Sequence, residues 1–171
     1  MGFTGYITWD DTYAFFGMDG ADIGGCSSTK WLLIYLSGTP GTTTGVQYNN
    51  QQPALPFSAK YHVRWKADNT YTNAMEYSVS NWVDAGWNFT GDVFQSGTFL
   101  EMRVPFADIG SPAAFSVVMC MINEAGGSEW TYAGVPDTVF SDGVDPDYGH
   151  YYQFDLTGST PPNQYVPVAL Y

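Results

Sequence analysis

The sequence has little positive charge. Only five of its 171 residues are Lys or Arg, against 17 Asp and Glu, so the formal net charge is −12 at pH 7. A field of this sign repels phosphate backbones and anionic lipid headgroups, and no basic amphipathic segment offsets it. The composition therefore predicts no nucleic-acid partner and leaves neutral and cationic ligands.

Long apolar runs are also missing. The run WLLIYL at 31–36 is far shorter than the roughly 20 residues of a membrane-spanning helix, and Lys30 and Gly38 bound it. We therefore expect no membrane insertion.

Cysteine and histidine are scarce, with two of each. Cys120 lies in the apolar run FSVVMCMI and is predicted to be a small buried residue, whereas Cys26 lies in the turn GGCSS. A disulfide between them is possible if the chain is extracellular, but two cysteines at this separation do not establish one. His62 and His150 do not have the spacing of metal ligands, and no G-x-S-x-G motif is present.

Carboxylates for a two-acid hydrolytic mechanism are available, but the sequence does not pair them across a cleft. The candidates are Glu76, Glu101, Glu124 and Glu129. Together with the missing nucleophile motif, this predicts that the chain is not an enzyme.

Aromatic residues are abundant, at 18% of the sequence, and many fall in short strand-like runs. No comparably long segment has a helical period, and the separators are rich in Gly, Thr, Asn, Asp and Pro. This pattern predicts an all-β fold, an antiparallel jelly-roll-like β-sandwich. The runs are GYITW, TYAFFGM, KWLLIYL, KYHVRWKA, AMEYSVSNWV, TFLEMRVPF, FSVVMCMI, EWTYAGV and HYYQFDL.

The stretch FLEMRVPFADIG at 99–110 shows how the strands are punctuated. Leu100, Met102 and Val104 alternate with polar residues, which predicts one buried face. Pro105 cannot donate to a ladder, so the strand is expected to end there and to pass into a short helical turn closed by Gly110.

One domain accounts for most of the chain. Residues 1–157 are predicted to form the sandwich, and the Pro-containing segment 158–171 is predicted to be a C-terminal linker or tail. Two long connections, 37–59 and 135–149, are candidates for binding loops, with simple excursions as the alternative.

Four stretches in this order resemble the CBM9-like or DOMON-like β-sandwich domains. Glu101 and Pro105 match a late strand of that pattern, and Gly110 closes its turn. The resemblance implies a jelly-roll-like module that works outside the cytoplasm in carbohydrate recognition and, in some branches, binds haem. The stretches are GYITWDDTYAFFGMDG, KWLLIYLSGTPGTTTG, FLEMRVPFADIG and HYYQFDL.

Sugars stack their C–H faces on aromatic rings and bond through their hydroxyls to nearby polar groups. Tryptophans beside polar residues are therefore the candidate ligand-binding set, with core filling as the alternative for each ring. Trp31 and Trp65, within strong strands, are predicted to be core. The candidates are Trp82, Trp87, Asn88, Trp130 and Tyr132.

The connection 135–149, which we call the acidic loop, offers oxygen ligands of the kind that calcium prefers. Asp142, Asp145 and Asp147 are the candidate metal ligands, and their spacing does not match the EF-hand pattern. A solvated acidic loop is the alternative. No organic cofactor is predicted, because the methionines that could ligate haem alternate as core residues do.

Together these patterns predict a noncatalytic carbohydrate-binding module, secreted or on the cell surface, whose partner is a polysaccharide or other glycan. The alternative is a structural or adhesive surface module, in which aromatic residues contact other proteins or further copies in a homo-oligomer or extracellular assembly.

Overall fold

The computed structural model describes residues 2–39, 42–48, 50, 52–126, 128–136 and 147–157, and the backbone of 168–169. Its strands are β1 Thr4–Trp9, β2 Tyr13–Asp19, β3 Lys30–Ser37, β4 Thr43–Gly45, β5 Ala54–Lys66, β6 Thr72–Ser78, β7 Asn81–Asp84, β8 Val93–Ser96, β9 Phe99–Pro105, β10 Ala114–Ala125, β11 Ser128–Val135, β12 His150–Asp155 and β13 Val168–Ala169. Two short helical elements accompany them, α1 Ala21–Gly24 and a 3₁₀ turn Phe106–Ile109.

The strands form two antiparallel sheets. A four-stranded sheet has the order β1-β2-β9-β8, and a nine-stranded sheet has the order β13-β12-β10-β3-β5-β6-β7, with β11 on β10 and β4 on β5. The predicted all-β antiparallel sandwich is confirmed, and the jelly-roll connectivity stays a prediction. Among the described residues, no helix has the length and hydropathy needed to cross a bilayer.

The strand β9 behaves as its sequence predicts. Leu100, Met102 and Val104 are fully buried against the facing sheet. The strand ends at Pro105, and Gly110 closes the following 3₁₀ turn with a left-handed φ of 79°. Because a β-carbon disfavours this conformation, glycine suits the position where the chain reverses.

The main core lies between the two sheets. Phe16, Trp65 and Phe115 are buried there, with 0–1% of their surface exposed. Burying a side chain of this size contributes roughly 1.5–3 kcal/mol. The prediction that Trp65 is a core residue is confirmed.

A second apolar cluster covers the outer face of the nine-stranded sheet. Leu33, Tyr35 and Val118 of the sheet form one cluster there with Val46 and Leu55. The nine-stranded sheet is therefore apolar on both faces, and six consecutive residues of β3 are buried. A ligand can therefore contact the outer face of this sheet only where the second layer leaves it uncovered.

The covering segment is more regular than its polar composition suggested. Within the predicted long connection 37–59, Thr43–Gly45 form β4 and β5 begins at Ala54. Leu55 and Ala59 are buried in the outer apolar cluster, and this burial stabilises the first part of β5.

Three further elements differ in detail from the sequence pattern. The run AMEYSVSNWV is a hairpin, β6 and β7, that turns at Val79 with a φ of 60°. The four-residue strand β8 had no separate signal. Within the segment predicted to be a tail, β13 pairs with β12.

The two cysteines do not form a disulfide. Cys26 is exposed and Cys120 is buried, so they lie in different environments. The buried position predicted for Cys120 is confirmed, and burial raises the pKa of its thiol to about 12.

Candidate functional site

The sequence-predicted tryptophan pair is divided between two faces of the nine-stranded sheet. Trp82 packs on the outer face, where its ring centroid lies 6.1 Å from that of Tyr35 and 5.9 Å from that of His62. Trp87 packs at the edge of the main core, 5.5 Å from the ring of Tyr61. Both indoles are half-buried. The two rings therefore do not line one surface.

Asn88 is exposed beside Trp87 and shapes the local turn. Its Oδ1 accepts a hydrogen bond from the backbone N–H of Thr90 at 2.9 Å. One acceptor of the amide is thereby committed to the loop that follows β7.

Tyr132 is held in a network that joins β11 to α1. Its hydroxyl donates to Asp22 Oδ2 at 2.9 Å, and Lys30 Nζ lies 5.1 Å from its ring centroid. Burial, followed by the hydrogen bond and charge of Asp22, raises the pKa of the tyrosine. Trp130, two residues earlier, is half-buried in the same strand.

The strand β11 contains a bulge at Tyr132. Opposite β10, Thr131 pairs with Ile122 and Ala133 with Met121, so Tyr132 is the extra residue. Tyr132 and Ala133 both pack against the main core, so the bulge places two successive side chains on the same face of the strand.

Of the predicted calcium ligands, Asp147 lies within the described residues, and Asp142 and Asp145 lie outside them. Asp147 Oδ1 accepts a hydrogen bond from the backbone N–H of Ala54 at 2.8 Å. In the described part of the chain, no three His, Cys, Asp or Glu side chains are grouped as metal ligands.

The structure instead brings aromatic and basic side chains together in an open groove of about 350 Å³, at one end of the outer face of the nine-stranded sheet. We call it the aromatic groove. It is lined by Trp31, Tyr48, Arg64, Lys66, Thr70 and Tyr71.

Strand register places these residues side by side. Trp31 of β3 is opposite Lys66 of β5, and Arg64 lies two residues away on the same face. Tyr48 follows β4, and Tyr71 immediately precedes β6. Segments distant in sequence therefore meet at this end of the sheet.

Three rings shape the groove: that of Trp31 forms its floor, and those of Tyr48 and Tyr71 form two walls. Trp31 is only 6% exposed and contacts Tyr48 at 5.2 Å and Tyr71 at 5.8 Å between ring centroids, both edge to face. Tyr71 is 44% exposed and Tyr48 is half-buried. The tyrosines are thus the rings that a ligand can reach, and the indole supports them from below.

Arg64 links the two tyrosines. Its guanidinium carbon lies 4.7 Å from the Tyr48 centroid and 5.4 Å from the Tyr71 centroid. Its Nε donates to Asn73 Oδ1 at 2.5 Å, which fixes the plane of the group. Cation–π contacts of this kind hold the rings in place before any ligand arrives.

Lys66 occupies the neighbouring part of the groove. Its Nζ lies 5.6 Å from the Trp31 centroid and 3.3 Å from Asp68 Oδ2. Asp68 also accepts hydrogen bonds from the backbone N–H and the hydroxyl of Thr70. The carboxylate of Asp68 therefore positions both the ammonium group of Lys66 and the hydroxyl of Thr70.

Two carboxylates, Glu124 and Glu129, lie beside the groove and are not among its lining residues. Glu124 accepts the indole N–H of Trp31 at 2.8 Å and the hydroxyl of Tyr48 at 3.4 Å. Glu129 is directly across from it on β11. Burial and the charge of Glu124 raise the pKa of Glu129, while Arg64 opposes this shift. The groove therefore presents the donors Arg64 and Lys66, and Glu124 lies beside it, bonded to Trp31 and Tyr48.

Sequence reasoning missed this site for identifiable reasons. Trp31 is buried as predicted, so its sequence context indicated a core residue and gave no sign that it also lines a groove. The concentration of three of the five basic residues in KYHVRWK was a visible signal. Pairing Glu124 with Glu129 required the β10–β11 register.

A second cavity of about 300 Å³ lies at one end of the sandwich. Trp9 is its largest aromatic residue and is only 8% exposed. Asp10, at its edge, accepts backbone hydrogen bonds from Thr12 and Tyr13, which lower the pKa of its carboxyl group. This cavity therefore presents less accessible ring surface than the aromatic groove.

No family model, curated protein or solved structure matches this chain. The resemblance to CBM9-like or DOMON-like domains therefore stays a prediction, and the case for function rests on the groove.

Proposed function

We propose that the chain is a noncatalytic carbohydrate-binding module whose ligand occupies the aromatic groove. The observation that carries the proposal is the pair of accessible tyrosine rings, Tyr48 and Tyr71, fixed on either side of Arg64. A sugar needs ring faces for its C–H groups and charged or polar side chains for its hydroxyls. The groove supplies both.

The polar groups suit a ligand that carries both hydroxyl donors and acceptors. Glu124 and Glu129 can only accept hydrogen bonds when ionised, whereas Arg64 and Lys66 can only donate. A sugar hydroxyl does both, so it can accept from Arg64 or Lys66 in the groove and donate to an acceptor beside it. A polysaccharide or other glycan is thus the proposed partner.

The placement of the carboxylates supports binding rather than hydrolysis. Glycoside hydrolysis uses two carboxyl groups that flank the scissile bond. Glu124 and Glu129 are cross-strand neighbours outside the lining of the groove, and Glu124 is already bonded to Trp31 and Tyr48. A sugar in the groove lies beside this pair and not between its members.

An extracellular or cell-surface location and a calcium ion at the acidic loop belong to the same proposal as predictions. Asp147 anchors the end of that loop to Ala54, at the start of β5.

The test is retention on insoluble polysaccharides and on a glycan array, with calcium and with chelator. Tyr71→Ala should weaken binding about tenfold, equivalent to about 1.4 kcal/mol, because the accessible ring is lost. Tyr71→Phe should retain binding, since the ring remains. Tyr6→Ala is the matched control, because Tyr6 is 50% exposed on the other sheet.

Urea midpoints of all variants establish that they fold. Loss of retention in Trp130→Ala with full retention in Tyr71→Ala would return the site to the sequence-predicted residues. Failure of the unaltered protein to bind any glycan would contradict the proposed function itself.

A further inference from the structure

The outer face of the four-stranded sheet carries a group of aromatic side chains that no other described element covers. Phe94 is 61% and Tyr6 is 50% exposed, and the other members are half-buried. We call this surface the aromatic face. Its rings are those of Tyr6, Tyr13, Phe15, Phe94 and Phe99.

Strand register arranges the aromatic face around a glycine. Tyr6, Gly17, Glu101 and Phe94 lie in one row across the four strands. A β-carbon on Gly17 would stand 3.2 Å from the ring of Phe99 and from Cβ of Tyr6. Glycine at this position therefore lets the Phe99 ring lie close to the sheet, 5.8 Å from the ring of Tyr6.

The orientation of the rings indicates what kind of surface can pack on them. Tyr6 and Phe99 are inclined at 71°, and Tyr13 and Phe15 at 53°. A flat polysaccharide ribbon requires coplanar rings to stack along it. Tilted rings do not provide such a platform, whereas aromatic side chains are enriched at interfaces between proteins.

The charges on the aromatic face are unbalanced. Asp19 and Glu101 lie among the rings, and neither forms an ion pair with a described residue. Arg103, the basic residue on this face, is bonded to Asp92 and lies over the ring of Tyr13. The surface therefore presents aromatic rings with two uncompensated carboxylates.

A second copy of the chain does not supply the matching charge. All five of its basic side chains are already engaged. The pairs are Lys30–Asp22, Lys60–Glu76, Lys66–Asp68 and Arg103–Asp92, with Arg64 stacked between Tyr48 and Tyr71. Self-association through this face would bring carboxylates together without a free cation.

We propose that the aromatic face docks a basic segment of another protein. Apolar side chains of that segment pack between Tyr6 and Phe94, and a Lys or Arg pairs with Glu101. The combination of ring faces and a carboxylate binds a cation more strongly than either alone, because cation–π attraction adds to the ion pair. This surface is separate from the aromatic groove, which lies on the other sheet.

The probe is a synthetic peptide of alternating Leu and Arg, titrated into ¹⁵N-labelled protein at physiological ionic strength. Peptides of alternating Leu and Glu and of alternating Ser and Arg separate the apolar from the charged contribution. The Leu/Arg peptide should bind at least tenfold more tightly than either and should shift amides of β1, β2, β8 and β9.

Two variants and two matched controls localise the contact. Phe94→Ser and Glu101→Gln should each weaken binding of the Leu/Arg peptide about fivefold to tenfold. Val79→Ser removes an apolar group elsewhere that is even more exposed than Phe94, since Val79 is 94% exposed, and should change affinity less than twofold. Glu76→Gln makes the same charge change on the other sheet and should also change the affinity for the peptide less than twofold.

Four results would overturn the proposal. Equal effects of Glu76→Gln and Glu101→Gln would mean that the peptide senses only net charge. Equal binding of the Ser/Arg peptide would mean that the rings contribute nothing. A dimer in light scattering that Phe94→Ser abolishes would make a second copy the occupant. Loss of polysaccharide retention in Phe94→Ser, with retention in Tyr71→Ala, would make it a glycan.

Discussion

His62 is a buried histidine that should make the fold sensitive to acid. Its side chain is fully buried in β5 and stacks on Tyr35, with ring centroids 4.4 Å apart and an interplanar angle of 15°. Neither ring nitrogen has a hydrogen-bond partner. Burial, followed by the nearby charge of Arg64, lowers the pKa of His62 to about 3.

The size of the effect follows from proton linkage. The unfolded chain protonates this histidine near its ordinary pKa of 6.5, while the folded chain does so only near 3. The unfolded state therefore binds more protons as the pH falls through this window, and stability decreases. Between pH 7.5 and pH 4.5 the loss is about 2.7 kcal/mol, a large share of the roughly 5–15 kcal/mol that stabilises a typical domain.

The test compares the unaltered protein with His62→Phe in urea denaturation at pH 7.5 and at pH 4.5. Phenylalanine keeps a ring against Tyr35 and removes both unpaired nitrogens. The variant should be as stable as the unaltered protein or more stable at pH 7.5, and should lose about 2.7 kcal/mol less on acidification. Equal losses of stability in the two proteins would refute the assignment of His62 as a neutral buried group. Carboxylates titrate in both proteins, so their contribution cancels.

Two further predictions concern the thiols and the packing of β1. At pH 8, a thiol reagent should modify Cys26 at once and Cys120 only after urea is added, because Cys120 is fully buried and its pKa is raised to about 12. Rapid modification of both would contradict the fold around β10. Gly5→Ala should lower the free energy of unfolding by about 1–3 kcal/mol, since the new β-carbon would lie 2.6 Å from Cγ1 of Val135. Gly2→Ala, whose β-carbon would contact nothing within 4 Å, should have no measurable effect and serves as the control.

Local alternation was sufficient to predict most strands. In β9, Leu100, Met102 and Val104 share a buried face because a strand has a period of two, and Pro105 ends it because proline lacks an N–H. These features depend only on neighbouring residues, so the sequence contains them directly.

Features without a local signal were missed. Val79 and Ser80 form the turn between β6 and β7, although valine is uncommon at a positive φ. The interval between Trp82 and Trp87 does not reveal that the chain passes from one face of the sheet to the other. Tertiary packing, with Trp82 against Tyr35, decides these positions.

The aromatic groove depends on contacts between distant parts of the chain. Trp31 and Glu124 are 93 residues apart and are joined by a hydrogen bond. Their meeting requires β10 to pair with β3 and β3 with β5 in particular registers. A single sequence predicts which residues face outward, but it does not predict these registers.

The most direct test of the account is the indole N–H resonance of Trp31 in ¹⁵N-labelled protein titrated with a glycan that the unaltered protein retains. Trp31 lines the groove and donates this proton to Glu124, so its resonance is sensitive to a ligand bound there. The account predicts that the Trp31 signal shifts with saturation while those of Trp82, Trp87 and Trp130 remain in place, and that Tyr71→Ala removes the shift. A saturable shift of Trp82, Trp87 or Trp130, with Trp31 unchanged, would contradict it.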